Sequence, residues 1–330
     1  MYNYKDIKSI HLEVTSKCQA RCPMCPRRLQ GGPLLDSLYL EEITLDIFKE
    51  WFPVEFIKQL NHVYMCGNLG DPMIAKDTNK IFRYMRELNP EMSLQMHTNG
   101  SGRTDKWWKE LAELNVKVVF GIDGLADTHA LYRINTDWNK IIKNAKTFIK
   151  AGGDARWDML VFKHNEQQVD RCKELSEELG FKGFSVKHTT RFRDGKLDVI
   201  DDSYNVTHTL LPSKKSLEMI APAKEAAEEF LPRINCKAKQ DNQMYVGANG
   251  NISPCCWLDL DWIPQHSQSR IDYMTKVNTI PNLQKQSLKE IFDSGFFNKI
   301  SSCWTTTGLK ECSRQCGTFD KLNEQFIERT

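Results

Sequence analysis

Three cysteines lie close together in the stretch SKCQARCPMCPRR, namely Cys18, Cys22 and Cys25. Thiolates are soft donors suited to zinc or to iron–sulfur clusters. Four of them would complete a tetrahedral site, whereas three leave one position open. On one short loop, C-x3-C-x2-C spacing can hold three irons of a cubane [4Fe–4S] cluster. The fourth iron is then free for a small molecule that chelates through an amine and a carboxylate. The alternative at this spacing is a zinc site of three cysteines completed by a distant histidine. A second group lies toward the other end of the chain: Cys236, Cys255, Cys256, Cys303, Cys312 and Cys316, with only Cys66 and Cys172 between. The total of 11 is odd, and the opening MYNYKDIKSIHLEV lacks the apolar core of a signal peptide. That combination favours metal or redox chemistry in a reducing compartment over disulfides.

Composition narrows the classes further. The 330 residues carry 45 basic and 43 acidic side chains, a net charge of +2. So balanced a chain is not a general polyanion binder, which makes nucleic acid an improbable partner. No apolar run has the length of a bilayer span. A soluble cytoplasmic protein, without a membrane partner, is the expectation.

The elements that must position the first cysteines can be read from periodicity. Strand patterns occur at Ser9–Val14, His62–Cys66, Ser93–His97, Lys117–Ile122, Trp157–Phe162 and Phe184–His188. Helical spacing occurs between them at Glu42–Trp51, Thr78–Leu88, Asp105–Leu114, Asp137–Lys150 and Glu166–Leu179. Such alternation implies parallel strands with right-handed crossovers. The expected fold is α/β: a partial (β/α)6 TIM-type barrel over residues 1–190, a linker and helix over 191–232, and a small α+β domain over 233–330. In barrels and doubly wound sheets alike, function gathers beyond the C-terminal strand ends. Here those loops read TSKCQARC, GNLGDP, TNGSG, DGLAD, KHN and TTRFR. All are polar, Gly-rich or cysteine-bearing.

Four of these loops carry a resemblance. CQARCPMC is similar to the CxxxCxΦC motif of the radical S-adenosylmethionine (radical SAM) superfamily, with Met24 at the apolar position. CGNLGDPM resembles that family's GGE-type loop through Gly67, Gly70, Asp71 and Pro72, with Asp for the usual Glu. HTNG is similar to its TNG signature. FGIDGLADTHALYR resembles SIDGxxxxxHxxxR through Asp123, Gly124, His129 and Arg133, and departs at Gly121, where the family often has Ser. The resemblance implies that Cys18, Cys22 and Cys25 ligate a [4Fe–4S] cluster whose open iron takes the amine and carboxylate of SAM. It implies that Gly67, Asn68, Gly70 and Asp71 line the methionine amine, and that Thr98 and Asn99 approach the ribose. Arg133 becomes a candidate for the SAM carboxylate. An external one-electron reductant, such as flavodoxin or ferredoxin, would feed the cluster. Reductive cleavage of SAM would then give a 5′-deoxyadenosyl radical that abstracts hydrogen from a substrate.

Cys236, Gly250 and Cys255 form C-x13-G-x4-C, which resembles the opening of the SPASM/twitch domains that follow many radical SAM barrels. NQMYVGANGNISPCCW reads as a β-hairpin turning at Asn249–Gly250, and a helix is expected over Ser287–Ile300. A full SPASM domain uses seven cysteines for two clusters. Six occur here without a C-x2-C pair, which favours the twitch form with one auxiliary [4Fe–4S] cluster. Its implied ligands are Cys236, Cys255, Cys312 and Cys316, with Cys256 and Cys303 as alternates. A structural zinc in the same place is the alternative.

Other candidates carry weaker signals. Cys66 at a barrel mouth is either a hydrogen-atom donor or a small buried cysteine. His97 either faces the cavity or is a hydrogen-bonded core residue. Lys187, Arg191 and Arg193 gather positive charge where the sixth strand opens, suited to a carboxylate-bearing substrate. The irregular stretch Asp259–Gln284 has the character of a lid. Because the cluster motif begins by Cys18, leaving no room for an N-terminal peptide-recognition domain, a small-molecule substrate is expected. A peptide- or protein-modifying maturase, catalysing dehydrogenation, epimerisation or crosslinking, is the alternative. A non-catalytic iron–sulfur or zinc scaffold is the second.

Overall fold

The computed structural model describes residues 3–192, 194–220, 234–259, 280–305, 309–317 and 327–329. Six parallel strands form the body of one sheet: β1 (Ser9–Leu12), β2 (His62–Met65), β3 (Ser93–Thr98), β4 (Val116–Gly121), β5 (Ala155–Leu160) and β6 (Phe184–Lys187). They are neighbours in chain order. The helices between them include α1 (Leu45–Trp51), α2 (Val54–Lys58), α3 (Thr78–Leu88), α4 (Asp105–Glu113), α5 (His129–Tyr132), α6 (Trp138–Lys150) and α7 (Val169–Leu179). Thr44, Thr104 and Asp137 cap α1, α4 and α6 by accepting backbone N–H groups of the first turn. Gly180 ends α7 at φ +86°, a conformation that favours glycine.

The two faces of this sheet differ sharply. Ile10, Leu12, Val63, Met65, Leu94, Met96, Val118, Phe120, Trp157 and Met159 face the helices and are buried in one apolar core. The intervening residues His11, Tyr64, Gln95 and Lys117 stand side by side in register across β1 to β4. Asp158 on β5 and Lys187 on β6 continue this polar face. A parallel sheet covered on both sides would be apolar throughout, so this alternation marks the concave side of a partial TIM barrel. Aromatic packing stiffens the helical side; Trp108, Phe120 and Phe148 are mutually within 6.3 Å between ring centroids.

The barrel sheet does not stop at β1. β9 (Gln243–Val246) pairs parallel to β1, and β10 (Ile252–Ser253) pairs antiparallel to β9, giving the order β10-β9-β1-β2-β3-β4-β5-β6-β11. The short β11 (Ile327–Arg329) pairs antiparallel to β6 at the other side. The hairpin expected around Asn249–Gly250 is therefore present, with Gly250 at φ +81°, but it is continuous with the barrel. An unpaired β1 edge would expose its N–H and C=O groups. β9 covers that edge, and its Met244 and Val246 enter the same core as Ile10 and Leu12.

Two other stretches differ from expectation. Within the presumed linker 191–232, β7 (Leu197–Ile200) and β8 (Val206–Leu210) form an antiparallel hairpin. Val199 and Leu210 pack into a second apolar cluster with Cys22, Tyr132, Phe162 and Phe192. Asp202 beyond β7 accepts from Arg21 (2.8 Å). Strands this short leave too little periodicity to read among their polar neighbours. The helix expected within 191–232 is present at 214–220; residues 221–233 lie outside the described residues, as do residues 260–279 of the stretch with lid character. The helix expected over Ser287–Ile300 is two, Leu288–Asp293 and Phe296–Ser302, divided at Gly295 with φ +74°. Among the described residues, no helix is long and apolar enough to cross a membrane.

Candidate functional site

Cys18, Cys22 and Cys25 sit on the loop beyond β1, at the C-terminal mouth of the barrel. Arg27, which carries no motif signal, fixes that loop from within. It is buried, and its guanidinium donates to the carbonyls of Ser16 (3.1 Å) and Cys18 (3.0 Å). The Cys25 N–H donates to the Cys22 carbonyl (2.9 Å), turning the loop back so that both thiols lie on it together. The Ser16 hydroxyl donates to the Tyr39 carbonyl (2.7 Å) and accepts from Glu41 N–H (2.8 Å).

The other three motif loops converge on these thiols. The Asn99 amide lies 3.7 Å from Cys18 Sγ. The Asp71 carboxylate accepts from the Thr98 hydroxyl (2.8 Å) and from Asn99 N–H (2.7 Å), which welds the loop after β2 to the end of β3. Gln19 beside Cys18 donates to the Asn99 side-chain oxygen (2.7 Å). Arg133 lies 3.9 Å from Cys22 Sγ and donates through Nε to Asp123 (2.5 Å), which is wholly buried. Thr98, Asn99, Asp71, Asp123 and Arg133 therefore surround the triad.

Glycine at two of these positions has a steric cause. A Cβ on Gly70 would stand 1.7 Å from the Thr15 carbonyl oxygen, and one on Gly67 would stand 1.7 Å from that of Gly70. Close backbone approach, beyond ordinary turn formation, is what these glycines provide. At Gly121 a Cβ would meet Arg133 Nη2 at 2.6 Å. The guanidinium thus occupies the space that a serine would fill.

Burial raises the pKa of all three thiols. Cys22 is pushed up to about 11, partly offset by the Arg133 charge. Cys18 rises further, reinforced by Asp71. Cys25 is also raised, partly offset by Arg27 and Arg191. A coordinated metal would deprotonate such thiols outright, and a soft all-sulfur donor set suits iron–sulfur or zinc.

Cys236, Cys255, Cys312 and Cys316 all line a single cavity, walled by Trp257, Leu258, Ile300 and Trp304. The vicinal pair divides: Cys255 faces that cavity, while Cys256 lies outside it, near Cys66, Glu13 and Asn68. Cys303 is likewise outside, its thiol 3.2 Å from the Lys299 carbonyl. A hydrogen bond between Cys236 and Cys316 lowers the pKa of Cys316 and raises that of Cys236. Among the described residues, no three His, Cys, Asp or Glu side chains are drawn together closely enough to hold one metal ion.

The remaining candidates are distributed around the concave face. Lys187 is ion-paired with Asp158. Arg191 donates to the Met24 carbonyl (3.3 Å), and the Thr189 hydroxyl lies 3.9 Å from Met24 Sδ. His97 accepts from the Gln95 amide (2.8 Å), and burial lowers its pKa to about 4, so its ring is neutral near pH 7. Burial pushes Cys66 up to about 12. The Asn68 amide, expected at the methionine amine, donates to the Cys256 carbonyl (3.1 Å). Arg193 lies outside the described residues. Sequence reasoning missed Arg27, Glu13 and Tyr245. The period-two alternation of Ser9, His11 and Glu13 was a signal for Glu13; Arg27 and Tyr245 had none.

A model of the radical SAM superfamily matches residues 12–175, and a model of an iron–sulfur cluster-binding domain, SPASM, matches residues 236–317. A relative from Pyrococcus furiosus, a tungsten-containing aldehyde ferredoxin oxidoreductase cofactor-modifying protein, is 23% identical over 333 residues, spanning 93% of this chain and 87% of its own. The structure of SuiB from Streptococcus suis bound to S-adenosylmethionine aligns with a TM-score of 0.54 at 16% identity, over 94% of this chain and 68% of that one. That of anSMEcpe with bound AdoMet aligns with a TM-score of 0.58 at 17% identity, over 96% and 95%. At these identities the solved structures have the fold in common with this chain.

Proposed function

The chain belongs to the radical SAM superfamily and carries a SPASM iron–sulfur cluster-binding domain toward its C-terminus, and we propose that it is a hydrogen-abstracting maturase-type enzyme. The observation that carries this reading is the convergence of Asp71, Asn99 and Arg133 on three buried thiols at the barrel mouth. In this reading Cys18, Cys22 and Cys25 would hold a [4Fe–4S] cluster, and SAM would bind beside it. When bound, that pair supplies one-electron cleavage of the sulfonium and a carbon-centred radical able to take hydrogen.

The chain's own residues bind and exclude water. Gly67 and Gly70 let the loop after β2 close on itself and on Thr15, which would shape the wall for the methionine portion of SAM. Thr98 and Asn99 present short polar groups to the ribose. Arg133 already neutralises Asp123 and retains donors for a carboxylate. The polar concave face, with Lys187, Asp158, His97 and Cys66, orients the substrate.

A small molecule remains the favoured substrate, supported by the 93% overlap with a cofactor-modifying relative. A peptide is the second reading, favoured by solved relatives bound to precursor peptide SuiA and to the Cp18Cys peptide. Anaerobic reconstitution, reduction with a flavodoxin or ferredoxin, and assay for 5′-deoxyadenosine test the reading. Release of 5′-deoxyadenosine is expected, and its absence from a protein with a full iron complement would reject the enzyme.

We assign an auxiliary [4Fe–4S] cluster to Cys236, Cys255, Cys312 and Cys316; the spread of these thiols around a cavity suits a polynuclear cluster better than one zinc. Cys312→Ala is expected to remove about half of the bound iron and leave SAM binding at the first cluster. Iron content equal to wild type would refute this ligand set.

A further inference from the structure

The loop that carries Gly67, Asn68, Gly70 and Asp71 is held from beneath by Glu13, a residue just beyond β1. Its side chain is only 1% exposed. One carboxylate oxygen accepts from the N–H groups of Leu69 and Gly70, the latter at 3.1 Å. The other accepts from the Tyr245 hydroxyl (2.5 Å). Tyr245 belongs to β9 and is as deeply buried as Glu13. A carboxylate without such donors would be costly at this depth. Burial raises the Glu13 pKa to about 7, against three hydrogen bonds and the Arg27 charge that lower it.

A second link runs in parallel. The Asn68 amide donates to the Cys256 carbonyl (3.1 Å), and Cys256 adjoins Cys255, which lines the thiol cavity. The loop after β2 is therefore tied to the C-terminal segment at two points, once directly and once through Glu13. Both links reach the motif loop after β2 from residues outside the four motifs, namely Glu13, Tyr245 and Cys256.

We infer that Tyr245, Glu13 and Asn68 form a positioning linkage through which the iron–sulfur-binding C-terminal segment sets the geometry of the SAM-binding loop. This rests on the proposed reading that residues 67–71 line SAM. Tyr245 and Glu13 act through the loop backbone and are positioning residues. With the linkage intact, the Leu69 and Gly70 amides are fixed where SAM needs the loop; with it cut, the loop is free to shift.

Tyr245→Phe removes one hydroxyl and little volume. In this variant amide hydrogen exchange over Leu69–Gly70 in the metal-free protein is expected to accelerate about tenfold, and SAM binding by the reconstituted protein to weaken about tenfold, with iron content unchanged. Should Tyr245→Phe not fold, the pair Glu13→Gln and Glu13→Leu decides. Gln retains an acceptor for both amides and is expected to keep exchange and SAM affinity near wild type, whereas Leu loses both. Wild-type exchange and wild-type SAM affinity in Tyr245→Phe, or equal behaviour of the two Glu13 variants, would overturn the linkage. Faster exchange with unchanged SAM affinity would overturn the coupling to SAM while leaving the loop contact. Failure of the wild type itself to bind SAM would instead overturn the reading beneath it.

Discussion

Cys22→Ala is expected to abolish 5′-deoxyadenosine formation altogether and to lower bound iron by about half. The expectation follows from placement. Cys22 lies between the other two loop cysteines, is buried, and is approached by the Arg133 guanidinium at 3.9 Å. The C-terminal thiols line their own cavity, so the iron that remains should be theirs. Iron analysis with absorbance spectra of Cys22→Ala, Cys312→Ala and the double variant separates the two contributions. If Cys22→Ala retained full iron and cleaved SAM at the wild-type rate, the assignment of the open-position cluster to this loop would fail.

Arg133→Met is the substitution expected to cost the most stability. Asp123 has no accessible surface, and its second oxygen accepts from Leu160 N–H (2.6 Å), so the carboxylate cannot move out to water. Removing one partner of a buried ion pair costs about 3–5 kcal/mol, because the remaining charge is left uncompensated. For a chain of this size that corresponds to a fall in unfolding midpoint of about 4–7 °C. Adding Asp123→Asn should restore part of the loss, since it removes the stranded charge. Thermal unfolding of the metal-free proteins checks this, and a midpoint within about 1 °C of wild type for Arg133→Met would contradict it. SAM affinity, measured separately, tests whether the same guanidinium also serves the SAM carboxylate.

These two residues also mark how far the sequence could be read. The cysteine spacing, the glycines after β2, TNG and the Asp123–Arg133 stretch are all local patterns. Each lies on one loop, and each loop follows a strand whose period-two pattern is visible. Local spacing therefore determined the strand–helix alternation, the six barrel strands and the grouping of functional residues at one mouth, because in parallel α/β folds the strand ends all open to the same side. Cys236, Cys255, Cys312 and Cys316 were singled out through the resemblance to the SPASM/twitch opening, with Cys256 and Cys303 as alternates, and the structure places those four around one cavity.

Only the tertiary structure decided which groups meet across long sequence separations. Tyr245 reaches Glu13 although the two are 232 positions apart, and Asn68 reaches Cys256 across a separation of 188. Nothing in either local pattern specifies such a pairing, because it results from β9 docking on the β1 edge and filling a shared core. The β7–β8 hairpin is similar: its few apolar residues become informative only where Val199 and Leu210 pack beside Cys22. The choice between Cys255 and Cys256 was also tertiary: the chain bends at Cys255 and enters a short 3-10 helix at Cys256, and only the surrounding walls tell which of the two thiols meets the cavity. The sequence determined what chemistry is present and on which loops. Packing determined how the C-terminal segment grips the loop that this chemistry depends on.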